Sequence, residues 1–436
     1  MLAESETRSI TRVGHLWLED FRCLTGIDLE LDPGLTVVHG ANGQGKTSLL
    51  EAVAWIARSH SFRGVSDAPL VRNGSAQAIV RAEIVSDDRL QLFEAELRAS
   101  GRNRVQCNKR AITRARDLHG LLRVAVFAPD DLELIKGGPA ERRVYLDELL
   151  GMLAVRYEAA RSDFERVLKQ RNALLRSGVR DPSAVATLDV LDDQLVAAAS
   201  ELVRGRLQLV DRLGPAVNAA YAELAEDGRV VAETYDAEWS PEPLGSADTG
   251  SVEELLRAAV IARRRAEIER GVTLVGPHRD DWKLTIAGLD ARTQASQGEQ
   301  RSLALALRLA GRGVVHELTG TPPVLLLDDV FSELDAKRSS ALVRNLPPGQ
   351  TLLTTAGAIP ADAFSKLSDA WPTVVGELFA PHVAVRSLRA GVCTVEVDGP
   401  GWATQLRYAE HQLLQRAEEC CGPGVVTAIR VVVSAP

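Results

Sequence analysis

Short apolar or alternating runs dominate the first hundred residues. VGHLWLEDF (13–21), LTGIDLEL (24–31) and LTVVHG (35–40) predict three strands, set apart by Gly, Asp and Pro. The period then changes. Leu49, Leu50, Val53, Ala54 and Ala57 recur at helical spacing and predict a helix from Thr47 to about Ser59. AIVRAEIV (78–85), LQLFEAEL (90–97) and RVQCNKRAI (104–112) predict further strands, the last two joined by a turn at Ala99-Ser100-Gly101.

From Pro139 the pattern is helical. Residues 139–178 open with Pro at a first helical position and stop near Gly178. Residues 187–228 form a second helical stretch, interrupted around Gly214-Pro215, and residues 251–271 a third. Strand signals return at LVGPHRDDWKLTIAG (274–288), and PPVLLLDDV (322–330) reads as a buried parallel strand ending in two carboxylates. After Asp362 the pattern predicts helix, strand (383–389), strand (392–398), helix (402–420) and strand (425–433), enough for a compact α+β module. The chain therefore divides into an N-terminal lobe (1–128), a helical insert (129–270), a second lobe (271–361) and a terminal module (362–436). No internal repeat is visible.

Composition narrows the function classes. At 436 residues, 45% hydrophobic and 25% charged, the chain has ample apolar material for several domains and is not wholly disordered. Aromatics are 4%, so the cores must rest on Leu, Val and Ala. The net charge is −8, with 51 basic against 59 acidic residues, so any nucleic-acid binding must come from a local patch. No run approaches the 18 apolar residues of a membrane span, and the polar first residues predict no secretory signal. Five sparse cysteines, odd in number and one pair adjacent, fit neither a disulfide framework nor a zinc spacing. They predict a reduced, cytoplasmic setting.

Three motifs carry chemistry. The first is GANGQGKT: Gly40, Ala41, Asn42, Gly43, Gln44, Gly45, Lys46 and Thr47. The glycines let backbone N–H groups converge on phosphate, and the following helix turns its positive end to the same anion. Lys46 supplies a mobile charge for the β and γ phosphates of ATP, and Thr47 a hydroxyl for Mg²⁺. The second is VLLLDDVFSELD (324–335), where the strand delivers Asp328 to the Mg²⁺ shell with Asp329 beside it. The third is SQGEQRSLALALRLA (296–310). Alone, Ser296 with Glu299 three residues on is a helix-capping box. Its place shortly before the acidic strand suggests more. Separately, Arg98, Arg102, Arg104, Lys109, Arg110, Arg114 and Arg116 form a stretch without an acidic residue, which could follow a DNA backbone. Arg263, Arg264 and Arg265 make a second basic cluster, diluted by Glu267 and Glu269.

Together the three motifs resemble the α/β head of ABC-type ATPases: Walker A, signature and Walker B. That resemblance implies a homodimer with ATP held between two copies. In it Ser296, Gln297 and Gly298 act in trans and the second carboxylate, here Asp329 in place of the usual Glu, polarises the attacking water. SELD (332–335) resembles the loop that follows. The 250 residues between Lys46 and Ser296 exceed a transporter ATPase and fall short of an SMC protein, and they lack sustained heptads. LEDFRCL, GANGQGKTSLLEA with SFR (61–63), VFAPDDLELIKGGPAERRVYLD (126–147), RVLKQRNALLR (166–176) and GPHRDDW (276–282) resemble the RecF family over residues 10–358. The resemblance implies a weak, DNA-dependent ATPase that acts as a switch in DNA repair, replication and the SOS response. Its partners would be RecR and RecO, with RecA acting downstream. Two departures from transporter ATPases fit this family: Thr354 and Thr355 stand where many ABC ATPases carry His, and Pro129, Asp130 and Asp131 stand where a glutamine loop would lie. Beyond residue 361, Trp371, Gly376, His382, Gly391 and Trp402 match the pattern of DciA-like proteins, with a KH-like element order. That likeness implies contact with a replicative helicase or DNA. By residue type alone, Trp371 and Trp402 read as core and His382 as structural. An ABC ATPase of another complex, or an adaptor recruiting a helicase through residues 362–436, are the alternatives.

Overall fold

The structure is a computed structural model. It describes residues 11–433 except 87–88, 113–117, 119, 180, 226–227, 246–249, 335–337, 340, 343–345, 357–370, 377–378, 390–391, 422–425 and 427. The chain forms two compact units. One comprises residues 1–338 with 346–357, the other 339–345 with 358–436.

The first unit opens with β1 (Arg12–Phe21), β2 (Leu24–Glu30), β3 (Leu35–His39) and α1 (Lys46–Arg58). Then come β4 (Gln77–Ser86), β5 (Arg89–Arg98), β6 (Arg104–Cys107), β7 (Arg110–Ala111) and β8 (Val124–Phe127). Six of these strands make an antiparallel sheet in the order β2-β1-β4-β5-β6-β7. Leu16, Leu18, Val80, Ala82, Phe93 and Ala95 turn to one face, the alternation expected of a half-buried sheet. RVQCNKRAI is not one strand: Asn108 and Lys109 both adopt positive φ (49° and 64°) and fold it into the β6–β7 hairpin. Asn108 tolerates that conformation, and its side chain accepts a hydrogen bond from Leu92 N–H at 2.9 Å.

The helical insert holds α2 (Glu133–Lys136), α3 (Pro139–Leu153), α4 (Val155–Ser177), α5 (Pro182–Ala225), β9 (Val231–Asp236) and α6 (Val252–Arg270). The predicted helix over 139–178 is two helices, broken at Ala154, whose extended backbone separates them. The predicted interruption at Gly214-Pro215 does not occur, and α5 runs through Pro215 for 44 residues. Proline removes a single hydrogen bond there, while Val210, Leu213, Val217 and Tyr221 stay buried on the same helix. Gly214 permits close approach, since a Cβ would stand 1.9 Å from the Glu233 carboxylate of β9. Strand β9 lies inside the segment that reads as wholly helical.

The remaining elements are β10 (Asp281–Ile286), β11 (Leu289–Asp290), α7 (Gln297–Thr319), β12 (Val324–Leu327), α8 (Val330–Glu333) and β13 (Thr351–Thr355). Residues 274–280 are loop rather than strand. Strands β9, β10 and β11 form a small antiparallel sheet. The second large sheet is parallel, in the order β3-β13-β12-β8, as the apolar run before Asp328 predicts. One hydrophobic core joins α1 to both large sheets through Leu50, Val53, Ile56, Val126, Leu326 and Leu352.

The second unit contains β14 (Val383–Arg389), β15 (Val392–Val397), α9 (Pro400–Cys421) and β16 (Ala428–Val433), in the predicted strand, strand, helix, strand order; of the helix predicted ahead of them residues 371–375 are helical, while 363–370 and 377–378 lie outside the described residues. Its own core includes Trp371, Val374, Val395, Leu406 and Leu413. Among the described residues no helix is long and apolar enough to cross a membrane.

Candidate nucleotide site

Three of the four parallel strands end at the same place with chemistry attached. The loop Gly40–Gly45 follows β3, Asp328 and Asp329 follow β12, and Thr354 and Thr355 close β13. Ligands of open parallel sheets collect at such carboxyl ends. The neighbour β8 is tied in by Asp328 N–H, which donates to Phe127 C=O at 2.8 Å.

Within the loop, Gly43 and Gly45 take φ of 82° and 90°, which a side chain would strain. A Cβ on Gly45 would also stand 2.5 Å from Leu24. Gly40 differs, with neither a positive φ nor a neighbour within 4 Å, so the backbone does not demand glycine there. Gly45 caps α1, whose first N–H groups face the loop. The Lys46 ammonium donates to Gly40 C=O at 2.7 Å, Ala41 C=O at 2.9 Å and Asn42 Oδ1 at 3.4 Å. Gln44 is exposed in the same loop.

Thr47 Oγ1 donates to Asp328 Oδ1 at 2.9 Å, which joins Walker A to Walker B. Thr354 Oγ1 donates to the same oxygen at 2.7 Å and accepts from Asp329 N–H at 3.0 Å. The residue at the position where other ATPases carry His therefore holds the Asp328 carboxylate and the Asp329 backbone, a role its sequence context does not signal. Asp329 sits in the left-handed region (φ 46°), an uncommon conformation for a non-glycine residue and one typical of functional sites. The Thr47 hydroxyl and Asp328 carboxylate are hard oxygen donors at hydrogen-bond distance from one another, and they fit Mg²⁺. Among the described residues no cluster of three His, Cys, Asp or Glu side chains could enclose a metal.

A buried brace supports α1. Glu51, fully buried, accepts from Arg22 Nη2 at 2.7 Å and Arg22 Nε at 2.8 Å, and also from the Ser61 hydroxyl. This brace connects two segments, LEDFRCL and SFR, that are far apart in sequence.

Ser296 caps α7 as a capping box. Its N–H donates to Glu299 Oε2 at 2.7 Å, and its hydroxyl accepts from Glu299 N–H at 3.3 Å. Ser296 and Gln297 are exposed, so the helix start faces outward. Among the described residues no hydrogen bond joins residues 296–298 to residues 40–47. The Arg338 guanidinium packs at Gly298, where a Cβ would meet Nη1 at 3.1 Å. Asp335 of SELD lies outside the described residues.

The basic stretch divides in two. Arg102 and Arg104 stand at the β5–β6 end of the hairpin, Lys109 and Arg110 at the β6–β7 end, and all four are exposed. Arg98 is held by Glu96, which also reaches Arg104 at 4.0 Å. Arg114 and Arg116 lie outside the described residues. The Arg263–Arg265 cluster is largely neutralised, because Arg264 pairs with Asp189 and Asp192, and Arg265 with Glu269.

Comparisons with known proteins bear on the family and the fold. Residues 12–352 match the family model of the RecF/RecN/SMC N terminal domain. The DNA replication and repair protein RecF of Streptomyces avermitilis is 47% identical over 79% of this chain and 93% of its own length. The chain belongs to the RecF family. RecF of Frankia alni is 46% identical over 81% of the chain and 95% of its own length. A solved structure of the recombination mediator protein RecF with ATP superposes with a TM-score of 0.72 at 27% identity. It covers 80% of this chain and 94% of the solved one. An SMC head domain from Pyrococcus furiosus shares the fold at a TM-score of 0.50, 15% identical, over 80% of this chain and 91% of its own. Residues 349–431 match the family model of Dna[CI] antecedent, DciA.

The other RecF-like segments touch one another. Arg142 of VYLD's helix forms a two-pronged pair with Asp281 at 2.8 and 3.0 Å, and Arg143 donates to Asp280 C=O at 2.7 Å. Asp280 is buried and accepts from Tyr235 and Trp239 at 2.6 and 2.7 Å; burial pushes its carboxyl up to about 6. Burial also lowers His278 to about 4, leaving it neutral. Arg171 of RVLKQRNALLR is buried against Glu267 and Asp192 at 2.6 and 2.7 Å, fastening α4 to α5 and α6. In the DciA-matching unit Trp371 is buried and its indole N–H donates to Val383 C=O at 3.2 Å. His382 stacks on Trp402 at 4.2 Å and pairs with Asp398 at 2.7 Å. Gly376 takes a positive φ, and Gly391 lies outside the described residues.

Proposed function

We propose that this chain is an ATP-switched DNA-binding protein of replication and recombinational repair. Two copies close on ATP, grip DNA, and reopen on slow hydrolysis. The observation that carries the reading is the convergence of Lys46, Thr47, Asp328, Thr354 and Asp329 at one end of the parallel sheet. The start of α7 is exposed as well, ready for a second copy.

Each residue has a chemical task. Lys46 exchanges its loop carbonyls for phosphate oxygens, and the α1 N-terminus supports the same charge. Thr47 and Asp328 would hold Mg²⁺, which supplies charge neutralisation at the phosphates. Thr354 fixes Asp328 and the backbone of Asp329, and Asp329 accepts the proton of the attacking water. Ser296, Gln297 and Gly298 meet the ATP of the partner copy. Arg102, Arg104, Lys109 and Arg110 contact DNA phosphates, a cationic edge on an acidic protein.

Family membership supports action in the cytoplasm with RecR and RecO, to help load RecA at gapped DNA. The solved RecF structures are of a recombination mediator protein in the RecFOR pathway. The DciA match favours an added role for residues 362–436 in recruiting a replicative helicase. Deleting that module separates the roles: helicase binding should disappear while ATP and DNA binding persist. The dimer reading is tested by Ser296→Arg, which should leave ATP binding to single copies intact and abolish pairing. Loss of ATP binding by single copies would place Ser296 in its own subunit's site instead.

A further inference from the structure

The helix behind the ATP loop and the helix behind the signature are joined through a third element. Arg58 closes the last turn of α1, and its Nη1 donates to Glu148 Oε1 of α3 at 3.1 Å. The other oxygen, Glu148 Oε2, accepts from Arg308 Nη1 of α7 at 3.4 Å. Arg308 Nη2 in turn donates to Asp131 Oδ1. Asp131 Oδ2 accepts from Ala128 N–H at 2.8 Å, at the end of β8, the strand whose Phe127 C=O holds Asp328 N–H. The hydrogen-bonded path thus leaves the nucleotide site through α1 and returns to it through β8.

Its placement is regular. Arg58 lies twelve residues beyond Lys46, and Arg308 twelve beyond Ser296. Each is about 18 Å of helix from its motif. The side chains of Arg58, Asp131 and Arg308 are 11–15% exposed and that of Glu148 25%, so salt screens them only in part. Burial pushes the Glu148 carboxyl up, yet the two arginines hold it below the usual range. Arg308 also lies over the Tyr145 ring at 4.9 Å, and the Tyr145 hydroxyl donates to Leu307 C=O, so α3 grips α7 where Arg308 leaves it. Gly311 makes room, since a Cβ there would stand 2.3 Å from the Tyr145 oxygen.

The network is incompletely satisfied. Among the described residues, Arg58 Nη2 and Arg308 Nε are buried without hydrogen-bond partners. Each arginine therefore keeps one donor free to take a different acceptor if the helices shift. Asp131 also occupies the region where other ATPases of this layout place a glutamine.

We propose that Glu148 is a positioning residue that carries the state of the ATP loop to the signature helix within one copy, through Arg58 on one side and Arg308 on the other. The proposal rests on the ATP-switch reading but not on dimer formation. Its test therefore uses the full-length chain at a dilution where its solution mass is that of a single copy with and without ATP. Amide hydrogen exchange is followed over residues 300–312 with and without ATP. ATP should slow exchange there by about threefold or more. Adding Glu148→Gln should remove that response while ATP affinity stays within about twofold. Arg58→Lys, which keeps the charge, should retain part of it. A response that survives Glu148→Gln, or that never occurs with Glu148 present, overturns the proposal. So does a Glu148→Gln chain that loses ATP binding or folding along with the response, because that pattern is a structural brace. Failure of the dimer reading looks different: the unsubstituted chain would keep its mass in ATP at higher concentration as well, while exchange over 300–312 still responds.

Discussion

The two large sheets treat polar side chains in opposite ways. At the ends of the parallel sheet the motif side chains are engaged: Lys46 has three acceptors, and Asp328 receives two hydroxyls. Along the edge of the antiparallel sheet, Arg102, Lys109 and Arg110 enter no ion pair among the described residues, and Arg104 has one long pairing at 4.0 Å. Side chains already held at one place suit a ligand of fixed shape, which Asp328 meets in position and Lys46 meets by exchanging loop oxygens for phosphate. Loose surface cations suit a polymer with evenly spaced charge, where affinity is graded by counterion release. Substitutions should therefore act discretely at the first sheet and in a graded, salt-dependent way at the second.

The largest effect is expected from Asp329→Asn. Loss of a general base costs about 100- to 10,000-fold in rate, so turnover should vanish while ATP binding and ATP-dependent pairing persist. Hydrolysis at the parent rate would remove Asp329 from the mechanism. Next is Lys46→Ala. A charge-assisted hydrogen bond contributes about 1.5–3 kcal/mol, so ATP affinity should fall by roughly 10- to 150-fold in a titration. Unchanged affinity would refute the loop assignment.

A buried acid away from both sheets separates burial from function. The Asp280 carboxyl is raised to about 6 in the folded chain, against an ordinary value of 3.8. The folded state therefore binds this proton more tightly. Its stabilising contribution is complete below about pH 4 and is lost as pH rises through 6, on the order of 1–3 kcal/mol. Asp280→Asn should flatten the stability profile between pH 4 and 6 in denaturant melts. An unaltered profile would mean that other groups set it.

Smaller effects test how the sites are held. Thr354→Val leaves Asp328 one donor short and Asp329 N–H without its acceptor, a cost of about 1–3 kcal/mol. Stability and hydrolysis should both drop, and Thr354→Ser should restore both. At the hairpin, every DNA phosphate left without its cation should lower the salt slope of log affinity for duplex DNA by about 0.9. If three of the four cations touch phosphate, the slope of the quadruple alanine variant falls by about 2.7. The pairs Arg102/Arg104 and Lys109/Arg110, mutated separately, show which end of the hairpin is engaged. An unchanged slope would leave the hairpin a solvated edge.

Legibility in the sequence follows the range of the interactions. The ATP loop, the acidic strand end and the Ser296 cap each depend on neighbours a few residues apart, so periodicity and spacing expose them. Thr354 reads only as the absence of His, because its partner Asp328 is 26 residues away. The Arg22–Glu51–Ser61 brace and the Arg58–Glu148–Arg308 joint connect segments that only the fold brings together. Strand β9 is hidden because VAETYD is short and lies between long helical runs, and its pairing with β10 is distant. Pro215 misleads in the other direction, since local propensity predicts a break that packing overrides. The hairpin cations are visible as a charge run, but the turn at Asn108-Lys109 that sends them to two ends is not.

The central claim is that ATP joins two copies through Ser296 and that Asp329 releases them. Solution mass of the chain, 47.1 kDa as a single copy, tests it directly when measured with and without ATP and DNA. The expected result is a single copy without nucleotide and a doubled mass with ATP. Asp329→Asn should stay doubled long after the parent has reverted, and Ser296→Arg should remain single throughout. A chain that binds ATP to saturation yet keeps the mass of one copy, with Asp329→Asn and with DNA present, would contradict it.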